Sequence, residues 1–351
     1  MELESTNRPT ESVLKSFDRF KRQPTMLPSF ITSVLFGDSP SQETSTGLSE
    51  PITAKTTIKG DVNQAGLKSY AFSGMQGWRM TMEDAHMVCT NIPVDGKREP
   101  LPCSIFGVMD GHGGDFTSDY ASKNFMKIFS ANSRLRKYAG MSTEEQSNVP
   151  GLECLKTALS ETFSRLDVEI RKQQNIRNEK KFLEVSKQQE ASNTPVRVRY
   201  ERSGSTCIIV IVTPSHIICA NAGDSRAILQ RGGKALPLSF DHKPNNAPEM
   251  ERIQHANGFV KCKRVDGDLA VSRGLGDFTY KSNELLQVDQ QKVRWYNADT
   301  AIFYNTAHVR ILGSYFFTFD AIFLLSIPLC LFRWYLPPNS SRTLERKMTS
   351  L

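Results

Sequence analysis

The chain has 351 residues, 39% of them hydrophobic and 23% charged, which is enough for one large domain or two ordinary ones with packed cores. The formal net charge is +7, but the lysines and arginines are spread along the chain and form no basic block among aromatic residues, which argues against nucleic-acid binding. Seven cysteines without a CxxC pair argue against a disulfide framework or a zinc site, and favour reduced thiols in the cytoplasm or nucleus.

The first 66 residues predict a disordered extension, because they are rich in Ser, Thr and Pro. The opening Met-Glu-Leu-Glu has no apolar core, so a secretory signal is not expected, and the acidic residues of this region argue against a transit peptide. A short apolar patch at 26–36 is a candidate docking segment or a weakly ordered turn. A strand-like pattern from Leu67 onward marks the start of the folded domain.

The next hundred residues predict one buried strand and two helices. Ser104–Met109 is an apolar run of strand length, and a helix containing Tyr120 and Phe125 follows it. A longer helix comes next, with Pro150 in its first turn, where proline is tolerated. Its apolar residues recur at spacings of three and four, at Leu152, Leu155, Leu159, Phe163, Leu166 and Ile170. We expect this stripe to pack on a sheet.

Residues 171–202 change in composition to Lys, Arg, Gln and Glu with few apolar positions. This pattern is typical of a solvated loop or of a helix extension. The alternative is a regulatory or partner-binding site that is specific to this chain.

Strand signals follow this polar stretch. Three apolar runs with turn residues between them predict an antiparallel meander, at Cys207–Val212, 216–220 and 227–230. Residues 248–256 predict a short helix that ends at Asn257-Gly258. Because strands and helices do not alternate as βαβ units, the sequence predicts an α+β fold.

The strand that ends at Met109 delivers three residues to a candidate site. Asp110 offers the oxygen ligand that a hard divalent cation prefers. Gly111 allows its carbonyl to approach closely, and His112 can donate or accept a proton near neutral pH. Taken alone this pattern is more often a plain turn, so the interpretation depends on the rest of the chain.

Six sequence blocks, in this order, resemble the metal-dependent (type 2C) serine/threonine protein phosphatases over residues 68–293. The blocks are 74–86, 106–115, 203–206, 220–226, 241–244 and 264–278. The resemblance implies two antiparallel β-sheets packed as a sandwich with helices on the outer faces. It also identifies 171–202 as an insertion, because in the family the preceding helix leads almost directly into the Ser-Gly-Ser-Thr block.

The resemblance implies hydrolysis of phosphoserine and phosphothreonine in proteins by metal-activated water, without a covalent phosphoenzyme. Two Mg²⁺ or Mn²⁺ ions are implied as cofactors, since both suit oxygen-rich sites. Asp110 would bridge the two ions, Glu83 and the carbonyl of Gly111 would hold one of them, and Asp277 would hold the other. Asp224 is a weaker candidate ligand for a third, loosely held ion.

Three further residues are implied as catalytic. Arg79 would clamp the phosphate oxygens, because a guanidinium matches them in a bidentate way. His112 would protonate the leaving alkoxide, and Asp84 would hydrogen-bond metal-bound water. Simpler interpretations exist for single residues, such as a helical ion pair of Arg79 with Glu83, or a helix cap at Asp277. The family order of the blocks favours the functional interpretation.

The family pattern stops after Val293, and two later blocks that each carry an acid are absent. We therefore expect residues 67–293 to form an incomplete phosphatase-like domain that lacks its last strands and binds cations more weakly. Residues 294–351 are expected to be an unrelated hydrophobic tail.

The tail has two interpretations. Residues 311–332 are long and apolar enough to span a bilayer and would give membrane contact, although Asp320 near their middle is costly there. Alternatively the tail is a translated intron or an alternative 3′ end, which we favour because the change occurs abruptly inside a catalytic domain.

Three functions therefore remain open. The chain could be a phosphatase that acts on phosphoproteins in the cytoplasm or nucleus. It could instead be a catalytically impaired pseudophosphatase that acts as a binding protein, or a membrane-associated isoform. The sequence identifies neither the physiological substrate nor the oligomeric state.

Overall fold

The computed structural model describes residues 48–64, 67–192, 198–231, 234–283, 285–294, 299–304 and 323–326. The strands among them are β1 (Ile52–Gln64), β2 (Leu67–Gly77), β3 (Ala85–Cys89), β4 (Ser104–Met109), β5 (Gly111–His112), β6 (Gly204–Ser205), β7 (Cys207–Val212), β8 (His216–Ala222), β9 (Arg226–Arg231), β10 (Lys234–Pro237), β11 (Val260–Lys261), β12 (Arg264–Val265), β13 (Leu275–Gly276), β14 (Asp299–Tyr304) and β15 (Phe323–Ser326). The helices are α1 (Phe116–Ser130), α2 (Ser133–Ala139), α3 (Thr143–Ser147), α4 (Val149–Ser192) and α5 (Ala247–His255), with 3-10 turns at Phe278–Tyr280 and Val288–Gln290.

A five-stranded antiparallel sheet forms the centre, in the order β14-β8-β7-β4-β3. Strand β7, with the sequence Cys-Ile-Ile-Val-Ile-Val, is buried at every position because its alternate side chains enter two different cores. The predicted meander is confirmed for its first two strands, since β7 and β8 pair antiparallel across a short turn. It is wrong for the third, because β9 leaves this sheet and pairs with β10 and β15 instead.

Helices α1, α2 and α4 cover one face of this sheet and share a core with it. Phe125 of α1 meets Phe163 of α4 edge to face, with ring centroids 5.9 Å apart, and both side chains are fully buried. The predicted apolar stripe of α4 is confirmed, because Leu155, Leu159 and Leu166 are buried in the same core.

The other face of the central sheet packs on the β1–β2 hairpin and on the sheet containing β9 and β10. Tyr70 of β2 contacts Phe106 of β4 with ring centroids 5.8 Å apart, and Leu229 of β9 is buried in this second core. The predicted α+β class with antiparallel sheets packed face to face is therefore confirmed.

The N-terminal prediction needs correction, because residues 52–64 form strand β1 instead of part of a disordered extension 1–66. Strand β1 pairs with β2 along most of its length, with Ile58 opposite Phe72. Its Thr and Ile residues are β-branched and suit a pleated strand. The prediction of disorder rested on the Ser, Thr and Pro content of residues 1–66 as a whole, which does not distinguish this strand. Residues 1–47, including the apolar patch at 26–36, lie outside the described residues.

The polar stretch predicted as an insertion, 171–202, continues helix α4 as far as Ser192. The helix-extension interpretation therefore applies to its first part, while residues 193–197 lie outside the described residues. Phe182 and Leu183 on this extension are 52% and 58% exposed, so it lies largely in solvent.

Two strands come from beyond residue 293, the predicted end of the domain. Strand β14 pairs along β8 with Asp299 opposite Asn221, and β15 pairs along β9. Of the predicted membrane span 311–332, the structure describes only Phe323–Ser326, which is strand β15. Across the described ranges, no helix combines the length and apolar character needed to cross a membrane.

Candidate active site

The register of the central sheet places two candidate acids side by side. Strand β3 begins at Ala85, which pairs with Met109 at the end of β4, so Asp84 and Asp110 are the next residues at the same edge. The backbone of Asp110 is held in place by Thr206, whose hydroxyl accepts from the Asp110 N–H at 3.0 Å and whose own N–H donates to the Asp110 carbonyl at 2.9 Å.

Burial and like charge together perturb these acids. Burial, followed by the charges of Asp84 and Asp224, raises the pKa of Asp110 to about 7, although the charges of His112 and Arg79 act to lower it. Burial likewise raises the pKa of Asp84. Both ionised carboxylates are therefore penalised in this structure, chiefly by burial, and a bound cation would relieve that penalty.

His112 and Asp277 form a close pair. Nε2 of His112 lies 2.9 Å from each carboxylate oxygen of Asp277. Burial by itself lowers the pKa of His112, but the charge of Asp277 and the hydrogen bond to it outweigh burial and raise that pKa above its ordinary value. The arrangement keeps a proton available on the imidazole near neutral pH.

Asp277 is presented by an unusual backbone. Its φ is 51°, in the left-handed region, directly after Gly276 with a φ of 72°. Gly204 lies so close that a Cβ there would overlap the Asp277 carboxylate. Asp277 begins a 3-10 turn but makes no side-chain capping hydrogen bond, so the simple helix-cap interpretation does not describe what this side chain does.

Gly111 and Glu83 approach each other through their backbones. A Cβ at Gly111 would overlap the carbonyl oxygen of Glu83, so only glycine fits there. The hydroxyl of Ser118 on α1 donates to the same Glu83 carbonyl. The Glu83 carboxylate accepts from the Thr81 hydroxyl at 3.0 Å.

Arg79 is exposed, in the segment between β2 and β3. This segment is not helical, so the alternative of a helical ion pair with Glu83 does not apply. The charge of Arg79 lowers the pKa values of Asp84 and Asp110. A guanidinium with this location can meet an anion that approaches the acids.

Asp224 reaches the same end of the sheet from β8, because Ala222 pairs with Cys207 at the start of β7. It is 7% exposed, and its carboxylate makes an ion pair with the ammonium group of Lys243. A lysine thus already neutralises the acid that was predicted as a weak ligand for a third ion.

The donor chemistry of the site fits a divalent cation. The charges of Asp84 and Asp224 both act on Asp110, and carboxylate oxygens are the ligands that Mg²⁺ and Mn²⁺ prefer. Within the described part of the chain, however, no three His, Cys, Asp or Glu side chains already converge as a group that could hold a metal. The residue types therefore suit a divalent cation, and the acids would have to come closer together to coordinate one.

Two buried polar clusters that support the site were not singled out from the sequence. Asp167 of α4 accepts from the N–H of Gly276 at 2.8 Å and from the ammonium of Lys281 at 2.9 Å, which fixes the segment carrying Asp277. A single acid on an amphipathic helix gives no signal of this role, because its partners lie more than a hundred positions away.

The second cluster centres on Glu249 of α5, which is 2% exposed. Its carboxylate accepts from Arg252 at 2.6 Å, from Arg273 at 2.5 Å and from the Ser272 hydroxyl at 2.7 Å, and Arg294 lies 3.8 Å away. The cluster connects α5 to Ser272 and Arg273, which precede Asp277 in the chain, and brings Arg294, which follows it, close to Glu249.

Comparisons with known proteins identify the family of the chain. The family model Protein phosphatase 2C matches residues 68–307, which is more than half of the chain and extends past the predicted limit of 293. The chain is 38% identical over 236 residues to Protein phosphatase 1B of Rattus norvegicus, covering 67% of this chain and 52% of the relative. It is 35% identical over 257 residues to Protein phosphatase 2C homolog 2 of Aspergillus flavus, covering 71% and 50%.

The chain therefore belongs to the protein phosphatase 2C family. It spans about half the length of the curated relatives that it matches. Among solved structures, a serine-threonine phosphatase 2C from Toxoplasma gondii is similar with a TM-score of 0.47 and 18% identity, covering 74% of this chain and 78% of that one. This structural likeness is too slight to carry an argument, and the assignment rests on the sequence matches.

Proposed function

We propose that this chain hydrolyses phosphoserine and phosphothreonine in proteins with the help of Mg²⁺ or Mn²⁺. The observation that carries the proposal is the meeting of Asp84, Asp110 and the His112–Asp277 pair at one end of the central sheet. Membership of the phosphatase family supports it. The comparisons give no support to a non-catalytic alternative.

Four positions would hold two metal ions: the carboxylates of Glu83, Asp110 and Asp277 and the backbone carbonyl of Gly111. Bound there, the ions would lower the pKa of water and neutralise phosphate charge. Asp224 remains a weaker candidate ligand for a third ion, because Lys243 already pairs with it.

The remaining steps fall to the protein's own side chains. Arg79 is exposed beside the acids and would bind the phosphate oxygens through its guanidinium. His112 would hold a proton on Nε2, stabilised by Asp277 at 2.9 Å, and deliver it to the departing serine or threonine oxygen. Asp84 would orient water next to Asp110.

The proposed partners are phosphoproteins, and the proposed location is the cytoplasm or nucleus. The six cysteines that lie within the described residues are all free thiols, which supports a reducing compartment.

The test compares Asp110→Asn with Asp119→Asn, an exposed control on α1 whose acid pairs with Lys123. With Mn²⁺ and a phosphoserine peptide, the full chain should release phosphate, chelation should stop the reaction, and Asp110→Asn should abolish it. Survival of turnover within about tenfold, a loss under roughly 1.4 kcal/mol, would contradict the role of Asp110.

A stability measurement accompanies this test. Because burial and like charge destabilise ionised Asp110, Asp110→Asn should leave the unfolding temperature in chelator unchanged or higher. Loss of activity together with a clear drop in that temperature would instead indicate a folding defect.

A further inference from the structure

Three large apolar side chains are exposed next to the candidate active site. Trp78, Met80 and Met82 are 48%, 60% and 39% exposed, in the segment between β2 and β3. They alternate with Arg79 and Thr81, and we call the three side chains the apolar rim. Large apolar groups left in water beside a site are typical of a surface that contacts a ligand.

The apolar rim belongs to the same short segment as two residues of the site. Arg79, the proposed phosphate-binding residue, stands between Trp78 and Met80 in the chain. The hydroxyl of Thr81 donates to the Glu83 carboxylate at 3.0 Å, which connects the segment to the acids. A peptide whose phosphate meets Arg79 therefore comes close to the segment that carries the rim.

We propose that the apolar rim receives a large apolar side chain of the substrate, placed within two positions of the phosphoserine or phosphothreonine. This inference rests on the proposed function and adds a sequence preference to it. Phosphoproteins with Leu, Ile, Met or Phe at such a position are the preferred substrates.

Chain geometry supports this occupant. Consecutive Cα atoms are about 3.8 Å apart, and an extended peptide advances about 3.3–3.6 Å per residue. A residue one or two positions from the phosphorylated one therefore lies within about 7 Å of it, and Trp78 and Met80 are the immediate chain neighbours of Arg79. The chemistry of the segment is complementary to such a peptide, because Arg79 is cationic and its chain neighbours Trp78 and Met80 are apolar.

The size of the rim argues against a larger partner. A stable protein interface buries about 800 Å² on each side, whereas even a whole aromatic side chain buries about 150–250 Å². Three partly exposed side chains interrupted by Arg79 offer too little area for a second copy of the chain. Met adapts to differently shaped apolar groups, and Trp often dominates small contacts, so a single substrate side chain fits best.

Binding measurements test the inference without requiring turnover. Two fluorescent phosphonate peptides, in which a methylene replaces the ester oxygen, would differ only in Leu or Ser next to the phosphorylated residue. Their Kd values are measured with the full chain and Mg²⁺, in the wild type and in Met80→Gln. The control is Leu285→Gln, which removes an apolar side chain that is 95% exposed away from the rim segment.

We expect the Leu peptide to bind about fivefold more tightly than the Ser peptide, because one apolar side chain is partly removed from water. Met80→Gln should reduce this difference to less than twofold, and Leu285→Gln should retain it. Three results would overturn the inference. The two peptides could have equal Kd values in the wild type, the preference for the Leu peptide could survive in Met80→Gln, or the wild type could bind neither peptide.

Hydrolysis of p-nitrophenyl phosphate with Mn²⁺, which presents no neighbouring side chain, tests the proposed function separately. If the wild-type chain hydrolyses p-nitrophenyl phosphate but binds both peptides equally, the proposed function is supported and the proposed substrate contact at the apolar rim is contradicted. A chain that shows the preference without hydrolysis supports the rim and contradicts the catalytic proposal.

Discussion

Replacing Glu249 by Gln tests the buried cluster that fixes the stretch carrying Asp277. Glu249 is 2% exposed and accepts from Arg252 at 2.6 Å and from Arg273 at 2.5 Å. The substitution preserves the shape of the side chain but removes the negative charge that pairs with two buried arginines, Arg252 and Arg273, which are 9% and 6% exposed. Breaking a buried charge pair costs about 3–5 kcal/mol, and the free energy of unfolding should fall by that amount.

The assay is urea and thermal unfolding in chelator, followed by circular dichroism. For a domain of this size the expected loss lowers Tm by roughly 6–20 °C. The matched control is Glu161→Gln, whose ion pair with Arg134 at 3.6 Å is exposed on both sides. That control should change the free energy of unfolding by less than about 1 kcal/mol.

A second readout follows the backbone. Arg252 donates to the carbonyl of Ser272 at 2.9 Å, so Glu249→Gln should speed hydrogen exchange in the stretch leading to Asp277. The reasoning would be refuted if Glu249→Gln lowered the free energy of unfolding by less than about 1 kcal/mol and left hydrogen exchange unchanged. That result would mean that the charge of the Glu249 carboxylate adds nothing to the contribution of its shape.

Three other outcomes are expected. Burial alone would raise the pKa of Glu249, but hydrogen bonds and charges from Arg273 and Arg252 lower it from 4.5 to about 2. The free energy of unfolding should therefore fall as the pH drops from about 4.5 to 2. The fall should be steeper in the wild type than in Glu249→Gln. Gly111→Ala should weaken Mn²⁺ binding in calorimetry tenfold or more, because its Cβ overlaps the Glu83 carbonyl, whereas Gly140→Ala, with no atom nearer than 3.5 Å, should not. A chain stopped after residue 298 should scatter more light than one stopped after 307, because only the longer chain keeps β14 on the edge of β8.

The sequence predicted those elements whose signal is local. Strand β7 is a run of β-branched residues, and α4 carries an apolar stripe at helical spacing, so both could be identified without knowing their neighbours. The position of Asp110 at the end of β4 was predictable for the same reason. The meeting of Asp110 with Asp84 then follows from a single antiparallel register.

Features that depend on distant partners could not be predicted. Strand β14 lies at the edge of the central sheet because it pairs with the outer side of β8. Nothing in the sequence of β14 itself indicates which strand it pairs with. Asp167 gains its role from Gly276 and Lys281 across the fold. Strand β1 is different, since its several β-branched residues are a local strand signal that the polar composition of the surrounding region obscured.

The pairing of β4 with β7 has a consequence for how the protein acquires its site during folding. The β3–β4 and β7–β8 pairs are each formed by strands close in the sequence, whereas β4 joins β7 through residues as far apart as Ser104 and Val212. Closing so long a loop is entropically costly and slow. Asp84 and Asp110 form one half-site on the first pair, and Thr206 and Asp224 flank the second. Joining the two pairs brings Asp84 and Asp110 together with Thr206 and Asp224, and Asp277 reaches His112 from a later segment whose strand β13 pairs with β6. The site therefore needs contacts between three stretches that lie far apart in the chain.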